Sequence, residues 1–365
     1  MTTAREEAWA DDHRPPGGAA DDGDNVEDDG TNRSAPAARD DRAARAANLV
    51  YRPVRPDELP VCAGIWRDSI NDYIVRLGQE AVPDEIGPLV RLYTHLQATD
   101  PDRFVVALDG ERVVAFASAV MRERLWFLSM CFVLPELQGA GVGRVLLEQV
   151  GPPEDAVNAG GAAGRGISRA TATDSAQPIS NALYASLGIV PRVPLLNLLG
   201  LPRRPDAFGA LPSGVRPIAF EELADGPPGG DGHRRLADAV DTLDRELLGV
   251  AHPVDHRFLR QEGRRGWLYL GPDGTPAGYG YASEAGRVGP VAVRDEALMA
   301  PVLGHLTSAV TPRGAFALWL PGSADRAVEP ALSAGFRLDQ FPILLCWDRP
   351  FADLSRYLPI SPGLP

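Results

Sequence analysis

The chain has 365 residues, of which 44% are hydrophobic and 7% aromatic, and a formal charge of −13. That suffices for a large core and two domains of ordinary size, while the acidic balance disfavours non-specific nucleic-acid binding, which rests on neutralising phosphates. No apolar run approaches the roughly 18 residues of a membrane span, and the start, MTTAREEAWADDHRPPGG, lacks the apolar core of a signal peptide, so a soluble, cytoplasmic protein without membrane or nucleic-acid partners is expected.

In chain order, residues 1–48 carry charge, Ala, Gly and Pro with little to bury, and read as a disordered acidic tail. A short strand after Leu49 leads to helical regions from Asp57 to Ile74 and from Asp84 to Leu96. Strands at 103–108 and 112–122 join through Asp109-Gly110, and 125–133 has the β-branched and aromatic bias of a third. Leu134 to Val150 turns that strand into a helix. GPPEDAVNAGGAAGRG at 151–166 reads as an inserted loop, followed by the strand ISRATAT, the helix PISNALYASL and the strand VPLLNLL.

An internal repeat follows. YRPVRPDEL at 51–59 aligns with VRPIAFEEL at 215–223, and the same offset sets Asp109-Gly110 on Asp273-Gly274. The expected class is α/β (α+β), in two tandem units that each have a central, mostly antiparallel sheet flanked by helices. The expected boundaries are 49–202, a linker at 203–214, 215–350, and a C-terminal tail at 351–365. Cys62, Cys131 and Cys346 lie far apart in apolar contexts and read as core thiols; neither disulfides nor a metal site is expected.

The chemistry concentrates in FVLPELQGAGVGRVLLEQV, 132–150. Gly139, Gly141 and Gly143 alternate where strand becomes helix, so backbone can approach a ligand; the first helical turn presents unpaired amides and the positive end of the helix dipole, which suits phosphate. A dinucleotide fingerprint would need glycine at Arg144, and a P-loop would need lysine, which the chain lacks entirely.

The stretch resembles the acyl-CoA signature of the GCN5-related N-acetyltransferase (GNAT) superfamily, Gln/Arg-x-x-Gly-x-Gly/Ala, through Gln138, Gly141 and Gly143 after Val133 and Pro135. Downstream, Leu183, Tyr184 and Gly188 match the family's Leu-Tyr-x-x-x-Gly. The resemblance implies acetyl-CoA as co-substrate, with its pyrophosphate on the backbone of Gln138, Gly139, Ala140, Gly141, Val142, Gly143 and Arg144. It implies pantetheine between two splayed strands, a contact from Gln177, and the thioester carbonyl against Cys131, Phe132 and Val133, whose amides would stabilise the developing oxyanion. An amine acceptor, small molecule or protein, would attack directly, and Tyr184 would protonate the departing thiolate.

Two departures stand out. Gln177 takes the place of the family's Asn, and the strand before the signature carries Ser129 where many relatives have a Glu base. Water relaying to Glu123 or Asp174, or an amine arriving neutral, remain as alternatives. Trp66, Asp68, Asp72 and Tyr73 form an aromatic and acidic set suited to a cationic amine or to an ordinary amphipathic helix, and His95 reads as structural. The second unit has GPVAVRDEALMAPVLGHL where the first has its glycines, so it reads as a degenerate copy. The expected function is an acetyl-CoA-dependent N-acetyltransferase; the alternative is a non-catalytic acyl-CoA sensor or scaffold on the same fold.

Overall fold

The computed structural model describes residues 43–153, 156–157, 166–224, 229–339 and 341–365. The expected acidic tail lies outside the described residues as far as position 42, as does most of the expected loop at 151–166. Residues 43–47 are helical, and Arg45 reaches Asp109 at 2.7 Å.

The first half runs β1 (Val50–Pro53), α1 (Leu59–Ile74), α2 (Gly87–Thr99), β2 (Phe104–Asp109), β3 (Arg112–Arg122), β4 (Leu125–Val133), α3 (Val142–Val150), β5 (Ser168–Asp174), α4 (Pro178–Ser186) and β6 (Val190–Gly200). The second runs β7 (Arg216–Ala219), α5 (Asp231–Leu247), α6 (Pro253–Gln261), β8 (Arg265–Leu270), β9 (Pro276–Ala282), β10 (Arg287–Val293), α7 (Met299–Ala309), β11 (Phe316–Pro321), α8 (Asp325–Ala334), β12 (Arg337–Leu338), β13 (Ile343–Trp347) and β14 (Tyr357–Leu358). Local sequence explains the main pieces. β3 is buried without a break from Val113 to Val120, which is why it reads as a continuous apolar run and not as an alternating one. α1 buries Leu59, Cys62, Ala63 and Ser69, a stripe of helical spacing. The Asp-Gly turns between β2 and β3 and between β8 and β9 place Gly110 and Gly274 at φ of 62° and 79°, a conformation glycine adopts at little cost.

All these strands belong to one mixed sheet. Its main path is β1-β2-β3-β4-β5-β13-β6-β11-β10-β9-β8-β7, so the repeat appears as two mirrored runs, each mostly antiparallel with one parallel pair, β4 with β5 and β10 with β11. The runs meet through exchanged strands. β13, from the second half, inserts between β5 and β6 of the first, pairing Leu345 with Ala172 on one side and with Val193 on the other. β6 also pairs with β11 over its second half, from Leu195 to Gly200. The described residues accordingly form one compact unit, and one apolar core takes in Phe127 and Leu146 from the first half with Leu243 and Tyr279 from the second.

The segment 351–365, expected as a tail, is folded. Leu354, Tyr357, Leu358, Ile360 and Leu364 are buried, and β14 pairs with β10. The apolar content of YLPISPGLP, too low in periodicity to read as a strand, is used to cover the sheet.

Just after β1, Glu58 is buried under Arg52 (2.5 Å) and Arg55 (3.0 Å), and also accepts from the Arg55 amide at 2.8 Å. The hydrogen bond from Arg52 foremost, against the opposing effect of burial, holds its carboxyl down at about 2. A folded-state pKa below the unfolded one gives stability that is complete above about pH 4.5 and lost as pH falls through about 2. Glu58→Gln should therefore flatten the dependence of the thermal midpoint on pH across that window, leaving the dependence above pH 5 unchanged; an acid limb identical to wild type would show that Glu58 does not contribute to it.

Candidate active site

β3 and β4 pair from Arg122↔Leu125 to Ala115↔Val133 with an irregularity between Ser118 and Ala119, so Ser129 has no direct partner on β3. On its other side β4 pairs with β5 only from Leu125↔Ser168 to Leu128↔Thr171. Beyond Leu128 the two strands part, and the end of β4 from Cys131 to Val133 faces an opening.

After β4 the chain makes a turn at Pro135–Leu137, then reaches Gly139 and Gly141 at φ of 79° and 88°, with Gly141 capping α3. A side chain at either glycine would point into open space, so packing does not demand glycine there; the left-handed backbone does. Gly143 has a different reason: a Cβ there would sit 3.3 Å from Leu183, so its glycine lets α3 and α4 approach. The amide of Gln138 bonds Pro135 O and that of Arg144 bonds Gly141 O, and no backbone acceptor among the described residues serves the amides of 139–143 in between.

A cavity of about 300 Å³ joins the strand opening to this glycine turn. Every residue expected to bind cofactor or act on it lines this cavity except Ala140: Cys131, Phe132 and Val133 from β4, Gln138 to Arg144 from the turn, and Gln177 and Tyr184 from α4 and its cap. Burial pushes the Tyr184 phenol well above its usual range, so it stays protonated at neutral pH, and pushes the Cys131 thiol up to about 12. Gln138 Nε2 donates to Val133 O at 3.0 Å, and Arg144 reaches Ser186 Oγ at 2.9 Å.

The polar wall comes from α1 and β5. Tyr73 donates to Asp174 Oδ2 at 2.8 Å, and Ser69, one helical turn before Tyr73, donates to Val133 O at 3.2 Å. Both face the cavity, as do Thr173 and Ser180, whose hydroxyls lie 2.7 Å apart. Ser69, Thr173 and Ser180 escaped the sequence reading; only the four-residue spacing of Ser69 and Tyr73 hinted at a shared face.

Other candidates lie elsewhere. Glu123 sits at the hairpin between β3 and β4, φ 46°, bonded to Arg245 at 2.9 Å. It stands six residues before Ser129, about 20 Å along a strand rising ~3.3 Å per residue, too far to serve the opening. Asp68 pairs with Arg67 and Asp72 with Arg76 on the surface, while Trp66 packs edge-on against Phe132. His95 bonds Asp255 at 2.7 Å and stacks on Phe258, a structural contact between the halves. Ser129 is buried and donates to Gly363 O, so the C-terminal segment covers the place on β4 where a carboxylate was sought.

In the second half β10 and β11 pair only through Arg287↔Ala317 and Val288↔Leu318 before they too part. There β14 fills the gap, pairing Leu358 and Tyr357 with Val291 and Ala292, and Val293 N bonds Arg356 O at 2.9 Å. Backbone that remains exposed on β4 is capped on β10 by the chain itself.

The profile of the Acetyltransferase (GNAT) family matches residues 67–189, which span this cavity. The chain carries a GNAT acetyltransferase domain. Around this GNAT domain the whole architecture has counterparts. A putative acetyltransferase from Pyrococcus horikoshii is similar with a TM-score of 0.63 at 14% identity, covering 87% of this chain and 96% of that one. A GCN5-related N-acetyltransferase from Sphaerobacter thermophilus gives a TM-score of 0.54 at 17% identity, over 84% and 98%. No curated protein matches the sequence. Among the described residues, no helix is long and apolar enough to cross a membrane.

Proposed function

We propose that the protein is an acetyl-CoA-dependent N-acetyltransferase that transfers the acyl group directly to a primary amine at the first-half cavity. The observation that carries the reading is the junction, in one cavity, of the open β4 edge, the left-handed Gly139–Gly141 turn and the protonated Tyr184. The amides of the turn and the start of α3 suit a pyrophosphate. The alternate β4 amides of Cys131 and Val133, turned from β3 toward the opening, suit the thioester carbonyl and the negative charge that grows on its oxygen as the amine attacks. As the C–N bond forms and the C–S bond breaks, Tyr184 gives its proton to the sulfur. Asp174, backed by Tyr73, attracts a cationic acceptor and takes the proton it must lose before it attacks, and the second proton, shed once the C–N bond has formed, returns through water to the Tyr184 phenolate.

The test is release of CoA thiol across a panel of amines. Tyr184→Phe should lower kcat by about 100-fold or more while acetyl-CoA affinity holds, and Asp174→Asn should act mainly on the acceptor's kcat/KM. A Tyr184→Phe enzyme with wild-type turnover would remove that residue from the mechanism. A second reading, a non-catalytic acyl-CoA sensor, draws support from Ser129 being tied to Gly363 with no carboxylate on β4. It predicts binding without turnover on any amine.

A further inference from the structure

Outside the cavity, a dense group of titratable side chains lies buried between the halves. It contains Asp100, Arg122, Asp244, Asp255, His252 and His256, with His95 at its edge, so half of the chain's six histidines meet there. Arg122 neutralises one side of it, reaching Asp100 at 2.8 Å and Asp255 at 2.7 Å. Asp244 is different. Wholly buried, its partners are two imidazoles and the Tyr279 phenol.

The geometry of those partners converges. Asp244 Oδ2 lies 2.8 Å from His256 Nε2 and 3.3 Å from His252 Nε2, and one ligating atom from each of the three residues lies within 4.8 Å of the others. Around a tetrahedral ion with bonds of about 2.0–2.1 Å, neighbouring ligand atoms stand roughly 3.3 Å apart, so the three need move little. Each ligand is also held from behind. His256 Nδ1 faces Tyr281 OH at 3.0 Å, His252 Nδ1 faces Asp255 Oδ2 at 3.4 Å, and Asp244 Oδ1 accepts from Tyr279. A carboxylate or hydroxyl behind each imidazole fixes its ring and leaves Nε2 for the centre. The Tyr357 hydroxyl, 3.3 Å from His252 Nε2, stands near enough to contribute a fourth ligand. His256 also lines a second cavity of about 230 Å³, bounded by Val240, Asp241 and Pro253, which provides a path for an ion.

We propose that Asp244, His252 and His256 form a binding site for a divalent transition metal, with zinc the ion best suited to two imidazoles and a carboxylate. The ion would supply the positive charge that Asp244 lacks from arginine and would fasten α5 and the start of α6 to β9 and β14. The sequence expectation of no metal missed it because the ligands were sought among cysteines. His252-x-x-x-His256 had the spacing, and Asp244 precedes it by a loop and most of a helical turn.

The experiment uses the full chain, stripped with chelator and titrated with Co²⁺ alone and then Zn²⁺. One Co²⁺ per chain with the visible absorption of a four- or five-coordinate nitrogen and oxygen site, displaced by Zn²⁺, is expected. His252→Gln and His256→Gln should abolish the spectrum, and Tyr281→Phe should weaken affinity about 10- to 100-fold. Absence of a spectrum in the wild type, or uptake undiminished in His256→Gln and Tyr281→Phe, as ions held by the acidic residues of 1–42 would give, overturns the proposal. Should the histidine variants fail to fold, the wild-type spectrum and the Tyr281→Phe shift decide.

Discussion

Gly141→Glu is expected to lower acetyl-CoA affinity by at least about 100-fold, or ~2.7 kcal/mol, in a calorimetric titration. Two effects add. Gly141 holds a φ of 88°, where a residue with a Cβ is strained by about 1–2 kcal/mol, so the turn shifts to relieve it. The new carboxylate also points into the open space in front of α3, where it repels the group the amides are arranged to receive. Because nothing packs against that space, the fold should survive, and a thermal midpoint lowered by only a few degrees together with lost binding is the expected pair of results. Affinity equal to wild type would mean that the nucleotide end of the cofactor lies away from this turn.

Arg122→Met is expected to cost about 3–5 kcal/mol of folding stability, because it strands Asp100 and Asp255 in the interior without their cation. Burial resists ionisation of Asp255, and the hydrogen bond from Arg122 foremost among its partners holds its carboxyl well below the usual carboxylate range, so removing the arginine takes away the main group that offsets its burial. The exposed pair Arg45–Asp109, at a similar 2.7 Å, is the internal control: Arg45→Met should cost about 0–1 kcal/mol. Urea unfolding of both variants measures the contrast. A loss under 1 kcal/mol in Arg122→Met would show that the interior carboxylates are balanced by other groups.

What could be read in the sequence and what could not divide along a physical line. Features set by neighbours in the chain were legible: β3 and β4 to the residue, the Asp-Gly hairpins, the glycine turn before α3, and the register of Tyr184 on α4. Features set by distant pairing were not. ILLCW at 343–347 looks like any apolar strand, and nothing in its composition says that it lies between β5 and β6 of the other half. β14 is two residues long, too short for a periodic signal, yet it caps the second groove. The buried ionic group joins positions from 95 to 256, each unremarkable in its own segment. Glu123 stood out as the last carboxylate before the signature, but the hairpin directs it to Arg245.

The insertion of β13 also has a consequence for how the protein comes into being. β5 and β6 are separated by the width of a strand that is synthesised some 170 residues after β5 ends. At about 5–20 residues per second, the first half would wait roughly ten to thirty seconds on the ribosome with two sheet edges unpaired before its missing strand emerged. Gene truncations that deliver the first half alone should yield aggregating rather than folded protein, because β6 loses both β13 and β11. Selection on this chain thus acts on the two repeats as a single unit of inheritance, because neither can be lost, swapped or recombined without opening the sheet of the other.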